Sequence, residues 1–366
     1  MLSLIKRVIL SLAYMGSSKS VKAAVALVAL GGGAAMADVR LQGAGATFPN
    51  PLYQKWVTEY QAQHPGVRID YQSIGSGGGI KAITDKTVDF AGSDAPLTTK
   101  QMEALGGKAV HIPATAGAVV LAYNLPDFKG DLKLTGEVVA DIFAGKIKQW
   151  NDSKIAALNS GATLPDRGIT PCWRTDGSGT SYVFTNYLVT QSPSFKETVG
   201  MGNQVKWPAG TGGKGNDGVA AAVSGTPGSI GYVELNYATA NKIPFALMQN
   251  KAGKFIKATP ETVSAAGAGA AGEMTASKLA VAIWNQPGEE AYPIAAFTYL
   301  IVYSDLGNIK DAEKANALAG FLTWAVSPEG GQKLAPALDY APLAPAVAEK
   351  ALAAVKGLSY NGQAIK

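Results

Sequence analysis

The fold class is clearest in residues 67–96, which read VRIDYQSIGSGGGIKAITDKTVDFAGSDAP. Apolar and polar residues alternate over 67–71, as in a strand with one buried face. The glycine-rich stretch 75–79 then opens a segment with two isoleucines on one helical face, and a second short apolar strand follows at 88–91. This order of strand, loop, helix and strand predicts an α/β fold with largely parallel sheets.

The same order recurs outward from this stretch. Residues 52–60 have apolar side chains at helical spacing, and Pro65-Gly66 ends that segment. Further along, residues 169–173 are typical of a strand, residues 176–180 of a turn, and residues 183–188 of a helix with one apolar face. The chain therefore repeats one type of unit.

Three of these turns combine glycine with a hydroxyl just before a helix: residues 45–48 (GATF), 75–77 (GSG) and 176–180 (DGSGT). Each one alone is typical of an ordinary helix N-cap. Together they indicate an oxyanion site, because glycine allows close backbone approach and helix N-termini offer free N–H groups. Arg174 could direct two N–H groups at such an anion, or form a surface ion pair with Asp176.

The first 37 residues have the features of an export signal. They contain four basic residues, no acidic residue and an apolar run at 23–30. Ala35-Met36-Ala37 fits the small-x-small cleavage rule, so the mature chain is expected to begin at Asp38. Met15 is an alternative start codon, which would give a leader of more ordinary length. The apolar run is too short to span about 30 Å of hydrocarbon, which disfavours a membrane anchor.

Charge and cysteine content narrow the class of partner. The full chain has 32 basic and 27 acidic residues, of which four basic ones lie in the predicted leader, so the remainder has a net charge near +1. Without a basic stripe the chain is not expected to bind nucleic acid. Cys172 is the only cysteine, which excludes an intramolecular disulfide and a lipidated leader cysteine. A periplasmic protein that is not a lipoprotein fits best.

Several motifs, taken together, resemble those of the periplasmic phosphate-binding proteins of high-affinity phosphate ABC transporters. They cover nearly the whole mature chain, in the same order. The motifs are residues 43–49 (GAGATFP), 75–79 (GSGGG), 89–96 (DFAGSDAP), 145–150 (GKIKQW), 174–180 (RTDGSGT), 212–218 (GGKGNDG) and 231–234 (GYVE).

The resemblance implies a two-lobed periplasmic binding protein fold of type II. Each lobe is then a mixed, mainly parallel sheet flanked by helices, with the ligand in the interlobe cleft. Residues 38–114 and 293–366 are expected to form lobe I, and residues 115–292 to form lobe II. The implied function is that of a monomer that closes by a hinge on inorganic phosphate and delivers it to the transmembrane permease subunits of a phosphate ABC transporter.

The resemblance also implies the ligand contacts. They are the side chains of Thr47, Ser76, Asp94, Arg174, Ser178 and Thr180, with the backbone N–H groups of Phe48 and Gly179. Asp176 is expected to support Arg174. One nearby departure from the family pattern is Gly77, which stands where a second small polar residue is common and could loosen the loop.

Asp94 carries the expected discrimination between oxyanions. Phosphate near neutral pH retains at least one P–O–H group, which an ionised aspartate can accept. Fully ionised sulfate has no such proton, and a buried site built for a ligand hydroxyl rejects an analogue without it by roughly 10⁴–10⁵-fold. The alternative for Asp94 is a helix N-cap.

Two other classes of function stay open. A secreted phosphatase with Ser76 or Ser178 as nucleophile would need a base or a metal pair, and the two histidines, His64 and His111, show no such cluster. A phosphate-ester-binding or structural role is the remaining alternative. We expect no catalytic residue, metal or cofactor. The glycine-dense residues 210–218 are predicted to be a permease-docking loop, a turn near the ligand or a plain solvated loop.

Overall fold

The computed structural model describes residues 39–365, so the predicted leader lies outside the described residues. Its strands are β1 Val39–Gly45, β2 Val67–Ser73, β3 Phe90–Ser93, β4 Ala109–Tyr123, β5 Lys133–Leu134, β6 Thr170–Arg174, β7 Thr211–Gly213, β8 Ser229–Glu234, β9 Leu247–Gln249, β10 Phe255–Ile256, β11 Ala295–Tyr303, β12 Ser359–Tyr360 and β13 Gln363–Ala364.

The helices are α1 Asn50–Gln63, α2 Ser76–Thr84, α3 Thr99–Ala104, α4 Gly136–Phe143, α5 Ser153–Leu158, α6 Gly179–Gln191, α7 Pro193–Thr198, α8 Gly215–Gly225, α9 Leu235–Ala240, α10 Pro260–Gly267, α11 Ala270–Glu273, α12 Ala312–Val326 and α13 Pro345–Lys356. Within residues 39–365, no helix combines the length and the apolar character that a membrane crossing requires.

The first half of the main sheet is built around β1, which pairs parallel with β2 on one side and β3 on the other. Between β1 and β2, α1 begins with a proline in its first turn and buries Leu52, Trp56 and Tyr60. Because the three strands are parallel, their carboxyl ends meet at one edge of the sheet. Thr47, Ser76 and Asp94 follow those ends in the sequence.

β4 belongs to both halves of the main sheet, whose strand order is β2-β1-β3-β11-β4-β8-β6-β7. From Ala109 to Ala118 it pairs antiparallel with β11, and from Val119 to Tyr123 it pairs antiparallel with β8. The strand changes partner at the Ala118–Val119 peptide. One continuous strand therefore joins the two halves.

The second half of the sheet positions Arg174, the last residue of β6. β6 pairs parallel with β7 and β8, and α6 begins shortly after it. On β8, the buried ring of Tyr232 stacks on Phe184 with 4.3 Å between centroids. The Arg174 backbone N–H donates to the Tyr232 hydroxyl at 3.1 Å, which fixes the end of β6.

The α/β class and the mixed sheet predicted from the sequence are confirmed. The solvated-loop interpretation of residues 210–218 is wrong, because Thr211–Gly213 is a strand of the main sheet and α8 starts at Gly215. The glycines allow this close packing, since a Cβ on Gly213 would lie 2.4 Å from the backbone of Gly218.

Candidate functional site

Thr47 and Phe48 lie between β1 and α1, and both side chains are buried. The Thr47 hydroxyl accepts hydrogen bonds from Nδ2 of Asn216 at 2.7 Å and from its backbone N–H at 3.2 Å. Two buried tyrosines hold the backbone: Tyr237 donates to the Thr47 carbonyl at 2.5 Å, and Tyr340 to the Phe48 carbonyl at 2.6 Å. A peptide carbonyl and the next N–H point in opposite directions, so the bond from Tyr237 also fixes the direction of the Phe48 N–H.

Ser76 and Asp94 form a second group with the N-terminus of α6. Ser76 Oγ accepts from the Asp94 N–H at 3.3 Å and from the Gly179 N–H at 3.1 Å. Asp94 follows β3 and is almost completely buried. Its Oδ1 accepts from the hydroxyl of Thr298 on β11 at 2.8 Å. These contacts join the loop after β3 to the turn before α6.

Burial raises the pKa of the Asp94 carboxyl from its usual value to about 7. The hydrogen bond from Thr298, the charge of Arg174 and the hydrogen bond from Ser76 each lower this pKa, but they do not offset the loss of hydration. The carboxyl therefore exchanges its proton close to neutral pH. Such a group can serve as the proton acceptor in a binding site.

Arg174 is held by Asp176 in a forked ion pair. Nε donates to Oδ1 at 2.8 Å and Nη2 to Oδ2 at 2.5 Å. Burial acts to raise the pKa of Asp176, but the hydrogen bonds and charge of Arg174, with the Gly215 N–H, hold it below its usual value. Nη1 of Arg174 donates to the Thr180 hydroxyl at 3.2 Å. Three of the five guanidinium N–H groups thus have partners among the described residues, which leaves two that a ligand could use.

Ser178, Gly179 and Thr180 form the start of α6. Ser178 is the N-cap, because its Oγ accepts from the Ser181 N–H at 3.0 Å. Thr180 Oγ1 accepts from Nδ2 of Asn216 at 3.2 Å as well as from Arg174. Asn216 therefore connects Thr180 to Thr47, and Ser76 connects Gly179 to Asp94. The residues predicted from the sequence lie in one contiguous cluster.

Glycine allows the loops of this cluster to touch. Gly75 has φ +85°, and a Cβ there would lie 2.2 Å from Oδ2 of Asp176. Gly77 donates its N–H to the Gly177 carbonyl at 2.8 Å, and a Cβ on it would lie 3.1 Å from the Gly177 Cα. At the position where the sequence suggests a loosened loop, Gly77 forms a direct contact between loops.

Three hydroxyls of the site use both lone pairs of their oxygens for hydrogen bonds within the protein. The oxygens of Thr47, Ser76 and Thr180 each accept two N–H bonds from the protein. A hydroxyl has two lone pairs and one proton, so Thr47 and Thr180 have only their protons left to offer a ligand, whereas the Ser76 hydroxyl donates its proton to the Asp94 carboxyl. With Arg174 the site is rich in donors, and Asp94 is the acceptor among them. This arrangement suits an oxyanion that carries a proton.

The two residues that the sequence analysis missed are Asn216 and Thr298, and both are fully buried. Asn216 lies within the 212–218 motif, so a turn near the ligand was one of the expected interpretations of that motif. Thr298 lies within the continuous apolar strand β11, where no local pattern distinguishes it from a core residue.

The histidines and the cysteine lie in structural positions. Nε2 of His111 accepts from the Leu97 N–H at 3.0 Å, and burial lowers the pKa of its imidazole to about 4. His64 contacts the Tyr60 carbonyl at the end of α1. Burial raises the pKa of the Cys172 thiol to about 11. Over residues 39–365, no group of three or more His, Cys, Asp or Glu side chains is arranged to hold a metal ion.

Comparison with known proteins agrees with this geometry. A model of the PBP superfamily domain matches residues 32–329. The phosphate-binding protein PstS of Pasteurella multocida is 46% identical over 314 residues, which cover 85% of this chain and 88% of the relative. PstS of Haemophilus influenzae is 42% identical and covers 83% and 88% of the two chains.

Two solved structures share the fold. A phosphate-bound, high-affinity periplasmic phosphate-binding protein called PfluDING superposes with a TM-score of 0.68 at 20% identity, covering 86% of this chain and 93% of that one. A phosphate-binding protein from Stenotrophomonas maltophilia gives a TM-score of 0.64 at 23% identity, with the same coverage. The family model and the curated relatives show that the chain belongs to the PstS family of phosphate-binding proteins, within the PBP superfamily.

Proposed function

We propose that this protein binds inorganic phosphate at the cluster formed by the loops after β1, β2, β3 and β6. The polarity of the cluster is the observation that carries the proposal, because the Thr47 and Thr180 hydroxyls have only their protons left for a ligand and one buried carboxyl can accept. The contacts are Thr47, Phe48 N–H, Ser76, Asp94, Arg174, Ser178, Gly179 N–H and Thr180, with Asp176 holding Arg174 in place. The names of the PstS relatives support this ligand.

Selectivity over sulfate follows from Asp94. An ionised Asp94 accepts the phosphate P–O–H, whereas sulfate at neutral pH would place a bare oxygen against the carboxylate. Arg174 is paired with Asp176, so its charge is partly offset inside the protein. The hydroxyls, the backbone N–H groups and the N-terminus of α6 therefore carry much of the interaction with the anion.

In its cellular role, the protein receives phosphate in the periplasm and delivers it to the permease subunits of a phosphate ABC transporter. The PstS relatives and the export features of residues 1–37 support this role. We assign residues 38–114 and 293–366 to lobe I and residues 115–292 to lobe II. Thr47, Ser76 and Asp94 then lie on one lobe and Arg174 to Thr180 on the other, so a bound phosphate draws a monomer closed by a hinge.

The protein performs no chemistry on the ligand in this proposal. A phosphatase needs an activated nucleophile. Ser178 Oγ caps α6, and both histidines contact backbone groups elsewhere in the fold. The alternatives, a secreted phosphatase or a phosphate-ester-binding protein, have less support from these contacts.

Isothermal titration calorimetry tests the proposal. The exported protein is unfolded, dialysed free of ligand, refolded and titrated with phosphate and then with sulfate. We expect tight one-to-one binding of phosphate and no heat with sulfate. The absence of binding heat with both anions, or equal binding heats with the two, would contradict the assignment. Absence of p-nitrophenyl phosphate hydrolysis is expected in parallel.

A further inference from the structure

The side chain of Asn216 is fully buried in the first turn of α8, between Thr47 and Thr180. Its Oδ1 accepts from the Glu234 backbone N–H at 3.0 Å. Because a backbone N–H can only donate, this bond fixes which end of the amide is the oxygen. The Nδ2 group must then face the two threonines.

The two protons of Nδ2 match two acceptors. One lies 2.7 Å away at Thr47 Oγ1 and the other 3.2 Å away at Thr180 Oγ1. The second lone pair of Thr47 is filled by the Asn216 N–H, and that of Thr180 by Nη1 of Arg174. Neither hydroxyl can then turn to accept a proton from a ligand.

We infer that Asn216 is a positioning residue for phosphate, which holds the Thr47 and Thr180 hydroxyls as donors to the bound anion. The inference rests on the function proposed above. Without the amide, each hydroxyl regains a free lone pair and several rotamers, so part of its bond to the anion is lost. Since the two threonines come from the two proposed lobes, one side chain prepares both sides of the site.

A double-mutant cycle measured by calorimetry tests this role. Asn216→Ala is expected to weaken phosphate binding about 10- to 100-fold. This is the usual effect of losing hydrogen bonds to a charged group, here those from the two threonine hydroxyls to the anion. In a Thr180→Val or a Thr47→Val background, Asn216→Ala is expected to reduce phosphate affinity by a factor at least about three times smaller. The reason is that the hydroxyl that Asn216 orients is already absent.

Asn159→Ala is the matched control. Asn159 is also a buried asparagine, and its amide bonds the backbone of Lys133 and Ile155 away from the ligand hydroxyls. This variant is expected to lower the unfolding temperature without changing phosphate affinity. If Asn216→Ala folds poorly, Asn216→Ser gives the same cycle.

The outcomes separate the two proposals. Equal losses from Asn216→Ala in the wild-type and the threonine-to-valine backgrounds would overturn the positioning role and leave Asn216 as a packing residue, with phosphate binding intact. A wild-type protein that gives no heat with phosphate would overturn the proposed function, and the inference about Asn216 with it.

Discussion

The roles proposed for Asp94 and Arg174 in ligand binding differ, so their substitutions should have different effects. Asp94→Asn removes the acceptor for the phosphate proton, so we expect weaker phosphate binding and a smaller ratio of phosphate to sulfate affinity. Arg174→Ala removes a donor that serves any oxyanion, so affinity for both anions should fall together. Calorimetry with both anions measures the two ratios.

Asp89→Asn is the control for that comparison. Asp89 is also buried, but it accepts from the Gln42 N–H and pairs with Lys314, away from the ligand loops. Its substitution should change stability alone. An Asp94→Asn protein with the wild-type selectivity would rule out the proton-acceptor role.

The buried carboxyl of Asp94 also affects stability in the absence of ligand. Its pKa is about 7 in the folded protein, against about 4 for an unfolded aspartate. Between these values the folded state holds a proton that the unfolded state has released, so this contribution is full below pH 4 and is lost as the pH rises to 7. Asp94→Asn should remove this pH-dependent loss of unfolding free energy, which amounts to about 4 kcal/mol at most.

Urea unfolding of phosphate-free wild type and Asp94→Asn between pH 4 and pH 8 checks this prediction. As the pH rises, the free energy of unfolding of the wild type should fall relative to that of Asp94→Asn. Parallel curves would show that Asp94 titrates alike in the folded and unfolded states.

Individual site residues were predictable wherever their signal was local. Thr47 lies between a strand and a helix, Ser76 begins a helix soon after a strand, and a glycine stands within a few positions of each hydroxyl. Thr298 lies 204 residues from Asp94, and Asn216 lies 169 residues from Thr47. Such contacts depend on how the strands are ordered in the sheet, which no short window of sequence contains.

At the scale of elements, the contact between the loop before α2 and the turn after β6 depends on glycine. Gly75→Ala would place a Cβ against the Asp176 carboxylate, so we expect the Arg174–Asp176 pair to shift and phosphate affinity to fall. The Gly75 backbone, at φ +85° and ψ 153°, lies in a region that essentially only glycine adopts, which adds about 1–3 kcal/mol of strain to this variant. Gly106→Ala, at φ +68° with open space around it, should lose stability through its positive φ alone and keep its affinity for phosphate.

Thermal unfolding and calorimetry on the two glycine variants measure the two effects separately. If neither variant loses affinity for phosphate, the loops can separate without harm to the site. The sequence alone indicated that glycine permits close approach at residue 75, but not which group would approach. That group, Asp176, comes from the other half of the sheet.

For the molecule as a whole, the proposed hinge predicts a change of shape. Ligand loops from both halves of the sheet meet at the site, so removal of phosphate should allow the lobes to separate. Small-angle X-ray scattering is expected to give a larger radius of gyration for the stripped protein than for the phosphate complex. Sulfate should leave the stripped value unchanged. Identical scattering curves would argue against hinge closure.

The shared strand β4 also has a consequence for how the chain is made. The strand that ends at Tyr123 pairs with strands at residues 229–234 and 295–303, which are synthesised much later. Neither half of the sheet can close until the ribosome has completed most of the polypeptide, and pairing between such distant segments is slow. A chain that delays its own folding stays extended for longer after synthesis, which is the state in which a polypeptide can be threaded through an export channel.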